Sequence, residues 1–296
     1  MAAGRLSAVL AAGAPAAPWD APWFAALQPG LDLVAADAVA GRWPLVLQAL
    51  NQAASAAGLH NEAGRALQFV NADAVQVDSY EAHIWRTGQV PTRLCAQGCW
   101  HDLFNALVWI AFPRIKSRLN ALQASVVVRD GVRSRRGALR DAATLFDENA
   151  VLFVTADSSL AQALRRFDWR DLFLLRREAF SARVQVLAFG HALIDKLRAP
   201  YKAICAHAWI IDDPWLPATD RHQASVSTAR QRIDQLVCAG LDQTSLCSDA
   251  FAPLPVLGIP GWWPVNHDPA FYDDTAVFRA GRQRASGHRT ITAQGG

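Results

Sequence analysis

His101, Asp102 and Asn105 fall within one turn of the longest strongly apolar stretch of the chain, residues 100–114. On a helix, His101 and Asn105 are an i,i+4 pair and Asp102 and Asn105 an i,i+3 pair, so the three share one edge. Everything from Ala106 to Phe112 is apolar. Such a helix must be buried, and a buried polar edge must find partners. Further along the chain stand Asp147, Glu148, His191 and His207. Imidazole and carboxylate together are what an acid–base pair or a transition-metal site requires. His101, Asp102, Glu148 and His191 are the candidate catalytic residues, with Asn105 as a ligand-binding neighbour. Gly190, just before His191, permits the close approach of another backbone or of a ligand. The spacings match no named metal motif, so the cofactor stays unknown, a divalent metal being one option. The competing expectation is a buried hydrogen-bond network that fixes the fold. In that case His101→Ala would lower stability by ~1–3 kcal/mol and change no metal content.

Three further constellations carry chemistry. Arg129, Arg133, Arg135, Arg136 and Arg140 form the most basic window, with Gly131 and Gly137 between them. Guanidinium groups on a Gly-rich backbone suit a small anion, which makes Arg136 and Arg140 candidate ligand-binding residues. The alternative is a solvated basic loop answered by Asp141, Asp147 and Glu148. Trp262 and Trp263 sit on a Pro/Gly-stiffened segment, where they wall a pocket or simply cover the core. Cys95 and Cys99 have a spacing that could begin a metal site, but no second Cys/His pair with zinc-finger spacing follows. Cys99 at a helix N-terminus is a candidate thiolate; a buried inert thiol is the expectation. No nucleophile-elbow, P-loop or dinucleotide glycine pattern is present, and no nucleic-acid-binding motif accompanies the arginines, so a nucleic-acid partner is not expected.

The elements that must position these groups follow from periodicity and punctuation. Helices are expected over 44–57, from 100 to Pro113, and over 114–125, 141–149, 160–167, 169–180, 184–198 and 219–239. Strands are expected at 151–155 and, weakly, at 69–77; Val126-Val127-Val128 is β-prone but short. From Phe251 the chain is rich in Pro, Gly and rings, and cannot be helix or central strand. It is expected as an ordered wrap across the central helix. Apolar residues make up 52% and charged ones 19%, which is a core-forming composition. A net charge of +3 points to neither nucleic acid nor a membrane surface. No apolar run reaches the ~20 residues that span a bilayer. Five scattered cysteines suit reduced thiols in a cytoplasm. The weakly signal-like start leaves a periplasm as the minor alternative. The expected organisation is an Ala/Pro leader at 1–18, one globular domain at 19–280 and a frayed tail at 281–296. Its fold class is mainly α with a small β component.

Several strings together resemble one family. They include Tyr80-Glu81 with Val90-Pro91-Thr92-Arg93, His101-Asp102-Leu103-Phe104-Asn105-Ala106-Leu107-Val108-Trp109, Phe112-Pro113-Arg114, and Lys116 with Leu119-Asn120. Arg140-Asp141, Thr144-Leu145-Phe146-Asp147-Glu148-Asn149, Phe189-Gly190-His191-Ala192-Leu193 and Ala206-His207 follow. The last are Pro253 to Trp263, Asn266, Phe271-Tyr272-Asp273-Asp274 and Val277-Phe278-Arg279. In this order they resemble the bacterial domain-of-unknown-function family numbered 3025, over about residues 75–280. Ala138 and Ala150 stand where that pattern has Pro and Gly. The resemblance implies one domain running through both the central helix and the Pro/Gly/Trp segment. It supplies no reaction, cofactor or partner. Two function classes follow. The first is a soluble binding or scaffold protein whose polar cluster is structural or ligand-binding. The alternative is a hydrolase-type enzyme on a small anionic substrate, metal-assisted or working by His/carboxylate acid–base chemistry.

Overall fold

The computed structural model describes residues 19–77, 79–95, 99–130, 137–213 and 226–281. The expected leader, the tail from 282 onward, and Arg133, Arg135 and Arg136 lie outside the described residues. The fold is mainly α with two small sheets, and one hydrophobic cluster runs from Ala21 to Phe278. No described helix is long and apolar enough to cross a membrane.

A 3-10 turn at Pro22–Leu27 sets Trp23, Phe24 and Leu27 into the core. Helix α1 (Gly30–Val39) and helix α2 (Trp43–Ala56) follow. Pro44 occupies the first turn of α2, where its missing N–H has no partner to lose. Val46, Leu50 and Ala54, four residues apart, are its buried stripe. Asn51 on α2 clamps strand β1 (Gln68–Asn71), accepting from the Phe69 N–H at 2.8 Å and donating to the Phe69 carbonyl at 2.9 Å. Helix α3 (Tyr80–Thr87) starts on a Ser79 cap and stops at Gly88, whose φ of 76° only glycine adopts readily. A Cβ at Gly88 would also lie 2.2 Å from the Ala66 carbonyl oxygen. Strand β2 (Gln89–Thr92) then returns parallel to β1, with Phe69 opposite Val90. Parallel strands need such a crossover, and α3 supplies it.

Helix α4 (Trp100–Ala111) and helix α5 (Pro113–Asp130) are separated only by Phe112, which leaves helical geometry at φ −130°, ψ 60°. Pro113 therefore opens a second helix. Val126 and Val127 belong to α5, where burial overrides their β-preference. Helix α6 (Ala138–Asn149) runs directly into strand β3 (Ala150–Val154), buried along its whole length. Helix α7 (Ser158–Arg165) is capped by Asp157. The single helix expected over 169–180 is a π-turn at Asp171–Leu175 followed by helix α8 (Arg177–Arg183).

The long helix expected over 184–198 does not form. Its first part is strand β4 (Gln185–Ala188), and only helix α9 (His191–Lys196) is helical. The reason is tertiary. Gln185 to Ala188 pair antiparallel with β3, Val151 lying opposite Ala188. That pairing outweighs a helical pattern of modest strength. Strand β5 (Cys205–Ile211) joins β3 in parallel, Val151 opposite Ala208. After helix α10 (Val226–Gly240), strand β6 (Phe251–Pro255) pairs antiparallel with β5. The sheet order is β4-β3-β5-β6, so the proline-bearing strand is an edge.

The rest of the Pro/Gly/Trp segment is a ring-rich wrap of 3-10 turns at Val256–Gly258, Pro264–His267 and Pro269–Asp273. Buried Asn266 ties it together. Its amide donates to the Leu257 and Ile259 carbonyls at 3.0 and 2.7 Å and accepts from Arg177 at 3.0 Å. Trp262 meets Trp23 at a ring separation of 6.2 Å. Through the Pro22–Leu27 turn the wrap thus reaches the neighbourhood of α4.

Candidate functional site

Four helices present polar side chains at helical spacing to one cavity of about 390 Å³ that opens to solvent. From α3 come Tyr80, Glu81 and Ile84; from α4, His101, Asp102, Asn105 and Trp109. From α5 come Lys116, Leu119, Asn120 and Gln123, at i, i+3, i+4 and i+7. From α6 come Thr144, Asp147 and Glu148, at i, i+3 and i+4. His191, the first residue of α9, and Arg93, just past β2, complete the polar lining.

Lys116 is the centre of the network and is only 3% exposed. Its Nζ donates to Asp147 Oδ1 at 2.5 Å and to Asn105 Oδ1 at 2.8 Å, and lies 5.3 Å from the Trp109 ring centroid. Asn105 passes the connection on by donating to the Tyr80 hydroxyl at 2.9 Å. Burial, with the Asp147, Asp102 and Glu81 charges, pushes the Tyr80 phenol well above its ordinary pKa, against the Asn105 hydrogen bond. Tyr80 is therefore a neutral hydroxyl at any physiological pH. Burial by itself would raise the Asp147 pKa. The Lys116 charge and hydrogen bond, with His191 and His101, outweigh it and hold the carboxyl below its usual range.

The two histidines meet edge to face, with Nε2 to Nε2 at 3.2 Å. One ring must donate and the other accept, so at least one Nε2 is unprotonated. His191 Nδ1 stands 3.9 Å from Asp147 Oδ2. Burial is the main cause of a His191 pKa near 4, with Lys116 and His101 adding and Asp147 opposing. His191 is thus neutral at neutral pH, and half-buried His101 is the member of the pair nearer solvent. Asp102 is fixed by the Arg93 N–H, which donates to Oδ2 at 2.6 Å. Glu81 accepts from the Ser79 hydroxyl at 3.1 Å and faces Arg140 at 3.8 Å. Glu148, by contrast, has no hydrogen-bonding or ion-pair partner among the described residues.

A pH dependence follows from His191. Its folded pKa lies below the unfolded value, so the unfolded chain binds the extra proton more readily. The resulting stability is fully present above about pH 6.5 and is lost as pH falls toward about 4. The gap is worth about 3 kcal/mol. In denaturant titrations from pH 8 to 4, wild-type protein should lose more stability than His191→Gln, the difference opening below pH 6.5. Parallel curves would show that His191 is not buried neutral.

The sequence-derived candidates divide cleanly. His101, Asp102, Asn105, Glu148 and His191 line the cavity, together with Asp147. Arg140 does not line it and faces Glu81 instead; Arg136 lies outside the described residues. Trp262 and Trp263 belong to the wrap, Trp262 buried against Trp23. His207 sits on β5 opposite Ala150 and Pro253, away from the cavity lining. Among the described residues, no group of three or more His, Cys, Asp or Glu side chains is arranged to hold a metal ion. Sequence reasoning passed over Lys116, Tyr80, Trp109 and Asn120 as site residues. Between Arg114 and Arg118, Lys116 reads as one more surface charge; its i+4 neighbour Asn120 was the available signal.

The family model described as a protein of unknown function, DUF3025, matches residues 67–282. No curated protein and no solved structure gives a significant match.

Proposed function

We infer that this chain, which belongs to the DUF3025 family of proteins of unknown function, uses the cavity to bind a small polar molecule. One observation carries this reading. Two polar atoms of cavity-lining residues are buried with no hydrogen-bond partner: Trp109 Nε1 and Asn120 Oδ1. The Asn120 amide is not free to turn, because its nitrogen donates to the Glu81 carbonyl at 2.8 Å. A network that serves only the fold satisfies its members, since each unpaired buried group costs about 1–3 kcal/mol. A ligand offering an acceptor to Trp109 and a donor to Asn120 supplies what is missing.

Charge narrows the ligand. Glu81, Asp102, Asp147 and Glu148 face Arg93 and Lys116, four carboxylates against two cations. Lys116 is already neutralised by Asp147. The cavity favours a neutral or cationic molecule over the small anion expected from the arginine window. Acid–base catalysis is the second reading, favoured by the order Asp147, His191, His101. A carboxylate stands behind a buried neutral imidazole, which in turn contacts the ring at the cavity wall. The odd, scattered set of five cysteines supports the cytoplasm as the working compartment.

The test is thermal unfolding against a panel of amides, amines, polyols, nucleosides and carboxylates, with wild type and His101→Ala. A ligand that binds only the folded state raises the melting temperature by mass action. Stabilisation by a neutral or amine-bearing member, lost in His101→Ala, is expected. His101→Ala should itself unfold within about 0.5 kcal/mol of wild type, as functional polar groups commonly add no stability. A loss of 1–3 kcal/mol with no member of the panel bound would return the cluster to a purely structural role.

A further inference from the structure

We propose that Cys95 and Cys99 are a redox-active pair, a site of reversible disulfide formation at the entrance to α4. The observation is independent of the ligand reading. Cys99 Sγ lies 2.9 Å from Cys95 Sγ, within about 1 Å of the ~2.05 Å covalent bond. Cys99 is the residue just before the first turn of α4, and its sulfur packs against the Cys95 main chain. The other three cysteines, Cys205, Cys238 and Cys247, are on β5, on α10 and beside the Ser248–Ala250 turn.

The two thiols differ in access, which sets the order of events. Cys99 is buried and Cys95 is half-buried. Burial, with Cys95 as a neighbour, holds the Cys99 thiol above its usual pKa. Cys95 is therefore the entry point. With a small-molecule disulfide as oxidant, the Cys95 thiolate attacks one of its sulfurs. One small thiol leaves and a mixed disulfide remains on Cys95. Cys99, losing its proton, then attacks the Cys95 sulfur, and the second small thiol leaves. In sum, two protein thiols and one small disulfide become one protein disulfide and two small thiols.

The location gives the bond a consequence. Arg93, whose N–H holds Asp102, precedes Cys95 by two residues, and His101 follows Cys99 by two. Drawing the sulfurs together pulls on both ends of the Arg93–Asp102 hydrogen bond at the cavity wall.

The experiment equilibrates the folded full-length protein with oxidised and reduced glutathione, blocks free thiols with iodoacetamide, and digests with trypsin. The peptide from Leu94 to Arg114 contains these two cysteines and no other. It is expected to lose two hydrogens in mass, resist alkylation, and recover both thiols with dithiothreitol. Cys99→Ser should instead trap glutathione on Cys95, because nothing remains to resolve it. Two results would overturn the proposal. One is a wild-type peptide alkylated at both positions while exposed Cys205 and Cys247 carry glutathione. The other is stable glutathione on wild-type Cys95 beside an alkylated Cys99.

Discussion

Lys116→Met is expected to lower the unfolding free energy by about 3–5 kcal/mol. The ammonium is buried among Asp147, Asn105 and the Trp109 ring. Methionine fills most of the volume, so the loss reports electrostatics rather than a void. It strands the Asp147 carboxylate beside an Asn105 oxygen that now has no donor. The double variant Lys116→Met/Asp147→Leu should regain much of the loss, because no charge is then left buried alone. Urea titrations of wild type, both single variants and the double variant measure the coupling directly. A single-variant loss below about 1 kcal/mol would mean the pair behaves as a solvated surface bridge.

Gly190→Ala should be at least as damaging, at about 3 kcal/mol or more, the upper end of what overpacking costs. A methyl there would lie 2.5 Å from three backbone atoms: the Glu148 carbonyl oxygen, the Asn149 nitrogen and the Ala150 nitrogen. Backbone at the junction of α6 and β3 cannot step aside as a flexible side chain can. Gly190 also donates its N–H to the Ala150 carbonyl at 2.8 Å, so moving it breaks the seam between the sheet and α9. His191 is the next residue, and its contact with His101 should be lost along with the fold stability. The imidazole resonances of both histidines, followed by NMR, would show this even in a variant that still folds. Gly137→Ala is the control. Its Cβ meets nothing within 4 Å and its φ is ordinary at −85°, so stability should be unchanged within about 0.5 kcal/mol.

How far the sequence could be read depended on whether the deciding forces were local. The central helix was legible because Trp100 to Ala111 is apolar at helical spacing and Pro113 must either kink it or open a second helix, and the second is what forms. The polar edge of His101, Asp102 and Asn105 was legible for the same reason. Its convergence with Glu148 and His191 was an expectation from chemistry, and the cavity brings them together. Gly190 was read as a point of close approach, and what approaches is the backbone of residues 148–150. The β4 strand was not legible, because what makes 185–188 extended is a partner strand over thirty residues upstream. Lys116 was not legible for a different reason. A lone Lys between Arg114 and Arg118 looks like solvated charge until α4 and α6 close over it. The arginine window drew attention as the strongest local charge signal, yet Arg140 answers Glu81 and leaves the cavity to carboxylates.

Strand β6 ends the four-stranded sheet with Pro253 and Pro255 in alternate positions. Proline has no N–H to give β5, so Ala252 and Leu254 make the inward bonds, while Phe251, Pro253 and Pro255 face outward. Of the three outward positions only Phe251 retains a donor. A foreign strand arriving at this border would find a row of carbonyls and almost nothing to pair with them. The sheet thereby carries its own guard against polymerisation, built into the backbone and indifferent to salt or pH. Replacing both prolines by residues with an N–H would restore two outward donors to the edge, although Pro255 is buried and Pro253 half-buried. It would also turn a closed border into a template for aggregation.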